Sequence, residues 1–165
     1  IFLPLKMKNT GLYAHRSENP SIAVGYGLEN GVPYKEIDTN MKTYNGAAAL
    51  CSTVTDLFIW SEALHSGKVL PKALYNQFIE PYKFDNGFVP PVKYGFGIGT
   101  EEVGGHHTIG HPGQLKGFQS DMLRLPDEEV NVIFLSNLNG HHFPVKWRVT
   151  DKLIKVLYDI KDDQK

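Results

Sequence analysis

Two apolar runs joined by a turn decide the fold of this chain: FQSDMLRLPDEEVNVIFLSN, residues 118–137. The Pro126-Asp127 pair between them has the chemistry of a tight turn, because proline presets its own φ angle and aspartate hydrogen-bonds to nearby backbone. The sequence therefore predicts an antiparallel hairpin. Its second run is apolar on both faces, so we expect that strand to be central in its sheet or covered.

The segment upstream, YGFGIG at residues 94–99, alternates between large apolar residues and glycines. This period of two predicts a strand with glycines on one face, where another part of the chain packs closely. The Gly104-Gly105 turn then leads into HHTIGH, residues 106–111. Together with the hairpin, these segments predict a run of antiparallel strands.

The segment CSTVTDLFIWSEALHSG, residues 51–67, predicts a helix. Ser52 or Thr53 can accept a hydrogen bond from the free amides of the first turn, where Asp56 also complements the helix dipole. Gly67 ends the run. The apolar residues that recur at helical spacing are Leu57, Trp60 and Leu64.

Two further helices are predicted. One begins at Pro71, places Leu74 and Phe78 on one face and ends by Pro81. The other closes the sequence, and its apolar residues recur at i, i+4, i+7, i+8 and i+11, so that one face covers the sheet. Those residues are Val149, Leu153, Val156, Leu157 and Ile160.

The first part of the chain predicts a helix end and a hairpin. Pro4 and the turn-forming residues 8–11 indicate the exit from a helix. Asn30-Gly31 supplies the positive φ angles of a tight hairpin turn. The resulting order of a hairpin, two helices, several antiparallel strands and a closing helix predicts an α+β fold with helices packed on an antiparallel β-sheet.

The composition predicts one globular domain, residues 1–165. The chain has 17 Lys and Arg against 18 Asp and Glu, and this near-neutral balance argues against a nucleic-acid partner. The longest apolar stretch, residues 47–51, is far shorter than a membrane span. The single Cys51 cannot form an internal disulfide, and its small-residue setting predicts a structural thiol.

Several chemistries are excluded or weakened. The chain has no C-x-x-C, no phosphate-binding P-loop and no G-x-S-x-G elbow, and the glycines of residues 95–99 lack the spacing of a dinucleotide fingerprint, so no cofactor is predicted. No metal site is predicted either, because adjacent strand histidines point to opposite faces. The histidines concerned are His106, His107, His111, His141 and His142. Ser17-Glu18-Asn19 matches an S-x-N pattern that arises easily by chance.

Five phrases in one order resemble the later half of the serine β-lactamase-related family, which includes class C β-lactamases, penicillin-binding carboxypeptidases and esterases. They are IFLPLKMKNTG (1–11), GAAALCSTVTDLFIWSEALHSGKVL (46–70), YGFGIG (94–99), GHPGQLKGF (110–118) and LPDEEVNVIFLSN (125–137). The resemblance implies the C-terminal part of a β-lactamase/transpeptidase-like fold. It also implies an acyl-transfer site with three motifs: S-x-x-K, a Tyr or Ser motif, and K-T-G or H-x-G.

The third motif is His111-Pro112-Gly113 here. The resemblance implies that His111 orients the substrate or the base, and that Pro112 and Gly113 line the substrate's path. A glycine at a strand edge permits close approach, and the next amide, Gln114 N–H, can face the oxygen that becomes negative in the tetrahedral intermediate.

The other two motifs are absent from the sequence. None of the seven serines is followed three residues later by Lys, and no Tyr is followed two residues later by Asn. We therefore expect no turnover by this chain alone. In the complete protein we expect the substrate, a β-lactam, a D-Ala peptide or an ester, to acylate the serine, and water to hydrolyse the acyl-enzyme. The alternative is a non-catalytic binding domain or pseudoenzyme that keeps the fold.

The sequence opens at Ile1 inside an apolar phrase, and relatives complete the sheet with upstream residues. We expect an apolar face near residues 94–99 or 53–66 to be covered by a missing N-terminal half or by a second copy. The resemblance also implies a periplasmic or extracytoplasmic location.

Overall fold

The computed structural model describes residues 1–12, 19–37, 40, 44, 46–48, 50–139 and 149–161. Its helices are α1 (Phe2–Leu5), α2 (Val54–His65), α3 (Lys72–Ile79) and α4 (Val149–Leu157). Its strands are β1 (Gly11–Leu12), β2 (Tyr26–Glu29), β3 (Val32–Lys35), β4 (Leu50–Cys51), β5 (Lys93–Tyr94), β6 (Gly99–Val103), β7 (His106–Leu115), β8 (Phe118–Leu125), β9 (Val130–Ser136) and β10 (Leu138–Asn139). The α+β prediction is confirmed.

The main sheet has the order β5-β6-β7-β8-β9, and every pair in it is antiparallel. The predicted hairpin is β8–β9, closed by Leu125 opposite Val130. Among the described strands, β9 is not central but lies at the edge of the sheet. It is apolar on both faces because α2 contacts it as well as α4. Asn131 bonds to α2, whereas its neighbours Val130 and Val132 pack against Ile154 of α4.

The prediction of one strand over residues 94–99 is wrong. β5 ends at Tyr94, and the chain turns through residues 95–98 before β6 begins. Gly95 N donates to the Ile98 carbonyl at 2.8 Å, and Gly97 has φ 79°, a conformation that ends an extended run. The expected close packing is real at Gly95, because a Cβ there would overlap the Phe78 carbonyl oxygen.

The predicted start of α2 is confirmed, since the Thr53 side chain caps the helix by accepting from Asp56 N at 3.2 Å. In α3 the predicted apolar pair is only partly buried, since Phe78 is half-buried. Tyr75 is its buried residue, held 2.6 Å from His65 Nδ1, whereas Leu74 is exposed. The Tyr75–His65 hydrogen bond joins α3 to α2.

The apolar stripe predicted for α4 also differs from the buried face. Ile154 and Thr150 are fully buried, with Ile154 packed against Leu123 and Leu125 of the sheet. A second apolar face stays exposed because the sheet accepts only one side of the helix. That face consists of Leu153, Val156 and Leu157, with 48%, 77% and 57% of their surface exposed.

The smaller elements follow their local signals. β2 and β3 form the predicted hairpin, with Asn30 at φ 51° and Gly31 at φ 81°. α1 ends at Lys6 in a left-handed conformation, which confirms the predicted helix exit. No helix in the described part of the chain has both the length and the apolarity for crossing a bilayer.

Candidate functional site

His111, Pro112 and Gly113 lie in β7 where the strand loses one neighbour. The β6–β7 ladder ends with Gly99 opposite Gly110. From residue 111 to Leu115, β7 pairs with β8 alone among the described strands. The second half of β7 therefore presents an open edge.

The register shows which backbone groups face this open edge. Leu115 and Phe118 close a two-residue turn and form a hydrogen-bonded pair, so Gly113 and His111 also bond to β8. Pro112 and Gln114 alternate with them and direct their backbone groups away from β8. Pro112 lacks an N–H at a position where β8 needs none, and Gln114 directs its N–H and carbonyl toward the open edge.

The side chain of Gln114 is already engaged. Its Nε2 donates to Oδ1 of Asn139 at 2.9 Å, and Asn139 Nδ2 donates to the Leu115 carbonyl at 2.9 Å. Asn139 is buried, so these bonds fix the end of β7. The Gln114 side chain is therefore held by Asn139, and its backbone N–H and carbonyl are the groups left at the edge.

His111 and Gly113 point to the opposite face from the Gln114 side chain. The His111 ring is exposed and stands edge-on to Tyr94, with centroids 5.5 Å apart and planes at 69°. Across the ladder from Gly113 lies Ser120, and a Cβ on Gly113 would overlap the Ser120 hydroxyl. The Ser120 hydroxyl thus fills the space that a side chain at residue 113 would need.

A polar network attaches α2 to the sheet, on the same face as His111. Glu62 Oε1 accepts from Arg124 Nη1 at 2.5 Å and from Asn131 Nδ2 at 2.7 Å. Ser61 Oγ donates to Asn131 Oδ1. Sequence reasoning missed these contacts. The available signal was a charged residue, Arg124, within the apolar run of β8.

His65 adjoins this network. Burial, together with the positive charge of Arg124, lowers the pKa of His65 to about 4, although Glu62 acts in the opposite direction. The ring is therefore neutral at physiological pH. Burial likewise raises the pKa of the Cys51 thiol, which keeps it protonated and supports a structural role.

The other histidines have structural contacts where they are described. His106 Nδ1 bonds to Glu128, and its ring stacks on Tyr158 with centroids 4.1 Å apart. His107 Nδ1 lies 3.4 Å from Glu102 Oε1. No cluster of three metal-ligating side chains occurs in the part of the chain that the structure describes. His141, His142, Ser17 and Glu18 lie outside the described residues.

Beyond Tyr94 lies a group of exposed rings that sequence reasoning did not single out. Tyr82 N donates to the Tyr94 carbonyl at 2.8 Å, which holds the segment after α3 beside β5. The Tyr82 and Phe84 rings meet edge-on at 5.2 Å, and Phe84 stacks with Phe88 at 6.1 Å. We call Tyr82, Phe84, Phe88 and Tyr94 the aromatic patch.

Comparisons with known proteins agree on one family. The sequence profile of the Beta-lactamase family matches residues 1–154. The D-aminopeptidase of Brucella anthropi is 29% identical over 102 residues, which cover 62% of this chain and 19% of that enzyme. A D-aminopeptidase of Brucella ovis is 30% identical over 96 residues, 58% of this chain and 18% of the enzyme.

Solved structures share the fold. D-amino acid amidase from Ochrobactrum anthropi SV3, complexed with D-phenylalanine, superposes with a TM-score of 0.75 at 20% identity, covering 97% of this chain and 49% of that one. The octameric penicillin-binding protein homologue from Pyrococcus abyssi gives 0.70 at 20% identity, covering 96% and 36%. The chain thus spans half or less of these structures and about a fifth of the two D-aminopeptidases.

Proposed function

The chain belongs to the β-lactamase family, and on that premise we propose that it supplies one wall of a serine acyl-transfer site that hydrolyses amides or esters. The observation that carries the proposal is the open edge of β7, where the Gln114 N–H faces outward. His111 lies next to that edge with an exposed ring, and no described side chain hydrogen-bonds to its nitrogens.

In this proposal the substrate lies along the open edge as an additional strand. The Gln114 carbonyl accepts an N–H of the substrate, and the Gln114 N–H donates to the carbonyl oxygen under attack. That oxygen gains negative charge in the tetrahedral intermediate, so a fixed donor stabilises the transition state more than the ground state. His111 hydrogen-bonds to a carboxylate of the substrate or to the catalytic base.

The nucleophile comes from outside these 165 residues in this account, since S-x-x-K is absent from them. Its serine oxygen bonds to the acyl carbon and forms the tetrahedral intermediate. The bond to the leaving amine or alcohol then breaks, and the leaving group takes the proton that the serine has lost. Water then hydrolyses the acyl-enzyme and regenerates the serine. The relatives named D-aminopeptidase and D-amino acid amidase support an amide substrate.

We propose that the missing part of the family's fold covers the exposed face of α4. Leu153, Val156 and Leu157 form a continuous apolar stripe, and burying each side chain would contribute about 1.5–3 kcal/mol. The chain covers only 49% of the amidase structure that it matches, so the remaining half of that fold is the expected partner. A second copy of the chain is the alternative.

We place the protein outside the cytoplasm or in the periplasm, as is general in the family.

The test compares two samples: the 165-residue chain and the natural gene product that contains it. Each is assayed with nitrocefin, a p-nitrophenyl ester and D-amino acid amides. We expect no turnover by the chain and hydrolysis of at least one substrate by the gene product. Turnover by the chain alone would contradict the proposal, and a gene product inactive on all of them would favour the binding-domain alternative.

A further inference from the structure

The aromatic patch is a substantial exposed apolar feature immediately beside the candidate site. Phe84 and Phe88 are 48% and 55% exposed, and Tyr82 is more exposed still. Single exposed apolar residues are common on protein surfaces, but contiguous patches mark binding sites. Three of these rings contact one another in sequence, and the fourth, Tyr94, contacts His111.

Backbone hydrogen bonds hold the patch in place. Phe84 N donates to the Phe88 carbonyl at 2.9 Å, and Gly87 N donates to the Phe84 carbonyl at 2.8 Å. Asn86 Oδ1 accepts from Phe88 N at 3.0 Å. The rings are therefore carried on a closed turn, and binding a ligand there would not require ordering a loose loop.

The charges on the same segment balance each other. Lys83 Nζ lies 3.4 Å from Glu80 Oε1, and both side chains are well exposed. Asp85 and Lys93 add one charge of each sign, so residues 80–94 carry no net charge. The patch therefore suits an uncharged ring or aliphatic group rather than an ionised one.

We propose that the aromatic patch binds an aromatic or large apolar side chain of the substrate, next to the bond that is cleaved. This inference rests on the proposed function, because it assigns the substrate class of the same site. Its position follows from the Tyr94–His111 contact and from the Tyr82–Tyr94 backbone bond, which join the patch to the open edge of β7. The competing occupant is another part of the protein that covers the rings.

The experiment measures kcat/KM of the natural gene product for D-phenylalanine amide and D-alanine amide. We expect a preference of about 10-fold or more for the aromatic amide. The double variant Phe84→Ala, Phe88→Ala should lose that preference, so that its kcat/KM values for the two amides lie within about twofold of each other. The control is Phe58→Ala, which removes a ring of equal exposure, 49%, on α2, the helix that packs on β9 at the other edge of the sheet. The control should keep the preference.

Equal kcat/KM values for the two amides, or a preference that survives the double variant, would overturn the inference while leaving the proposed function intact. If the gene product hydrolyses neither amide, the proposed function fails for amides, and the patch is tested separately. The 165-residue chain is then titrated with N-acetyl-phenylalanine amide and N-acetyl-alanine amide by NMR. Shifts of patch resonances with the aromatic probe alone support the inference, and the absence of such shifts refutes it.

Discussion

The ring of Tyr94 stands edge-on to the ring of His111, with centroids 5.5 Å apart. Tyr94 is the last residue of β5, and His111 is the first residue of β7 beyond the reach of β6. The contact therefore joins two strands at the point where the sheet opens. It gives the exposed His111 ring a defined neighbour.

Replacing His111 with Ala should lower kcat/KM of the natural gene product by about 10²-fold, because a preorganised hydrogen bond to the substrate or base is lost. The matched control is His107→Ala, since His107 is a partly exposed histidine of the same strand and lies 3.4 Å from Glu102 Oε1. The control should keep its activity. Unchanged kinetics in His111→Ala would reduce this residue to a structural role.

Replacing Gly110 with Ala should destabilise the chain by about 3 kcal/mol. A Cβ at Gly110 would overlap the Met122 carbonyl oxygen, which is backbone inside the β7–β8 ladder and has little freedom to move. Gly46→Ala is the control, since nothing lies within 4 Å of its added Cβ. Urea unfolding measures both variants, and equal midpoints would show that the two strands are not this close.

Replacing Glu62 with Ala should cost about 2 kcal/mol, because Arg124 would keep a buried charge without its carboxylate. The Arg124 side chain is only 8% exposed, whereas Glu62 is 44% exposed, so water lessens the loss. Glu80→Ala removes one member of the exposed Lys83–Glu80 pair and should cost 0–1 kcal/mol. The account of the α2 contact fails if both variants lose the same unfolding free energy.

The stability of the chain should fall as the pH drops from about 6.5 to about 4. The pKa of His65 is lowered to about 4 in the folded chain, mainly by burial, while the unfolded side chain titrates near 6.5. Between those values the unfolded state binds more protons, so unfolding becomes easier as the pH falls. With allowance for partial solvent screening, the contribution is about 1–2 kcal/mol.

The check is urea unfolding at pH 4.5 and pH 7.5 for the wild type and for His65→Gln. The glutamine does not titrate, so the stability difference between the two pH values should shrink by that amount. An identical difference in both proteins would show that His65 is not the group responsible.

Local chemistry made part of the fold predictable. Turn and cap residues act on the backbone within a few residues of their own position, as Asn30-Gly31, Thr53 and Pro126-Asp127 do. The hairpins and the helix that they predict are present. The buried faces of α3 and α4 were not predictable in this way. Both helices have two apolar sides, and the choice is made by distant partners: His65 for Tyr75, and Leu123 for Ile154.

The candidate site also has a part that local sequence predicts and a part that depends on the fold. His111-Pro112-Gly113 was recognisable as a motif, but its open edge depends on where β6 stops, which the glycines of residues 95–99 concealed. The aromatic patch leaves no periodic pattern in the sequence. Tyr82 and Tyr94 are joined by a hydrogen bond between backbone atoms, which does not depend on their side chains. The Glu62–Arg124 pair joins residues that are 62 positions apart, a separation that no local pattern reports.

We propose that these residues form one wall of an acyl-transfer site whose nucleophile lies elsewhere. The most direct test labels the natural gene product with a fluorophosphonate and locates the modified residue by peptide mass spectrometry, with the 165-residue chain labelled in parallel. We predict one modified serine outside these 165 residues and no label on the chain alone. Covalent label on any of Ser17, Ser21, Ser52, Ser61, Ser66, Ser120 or Ser136 would contradict the account.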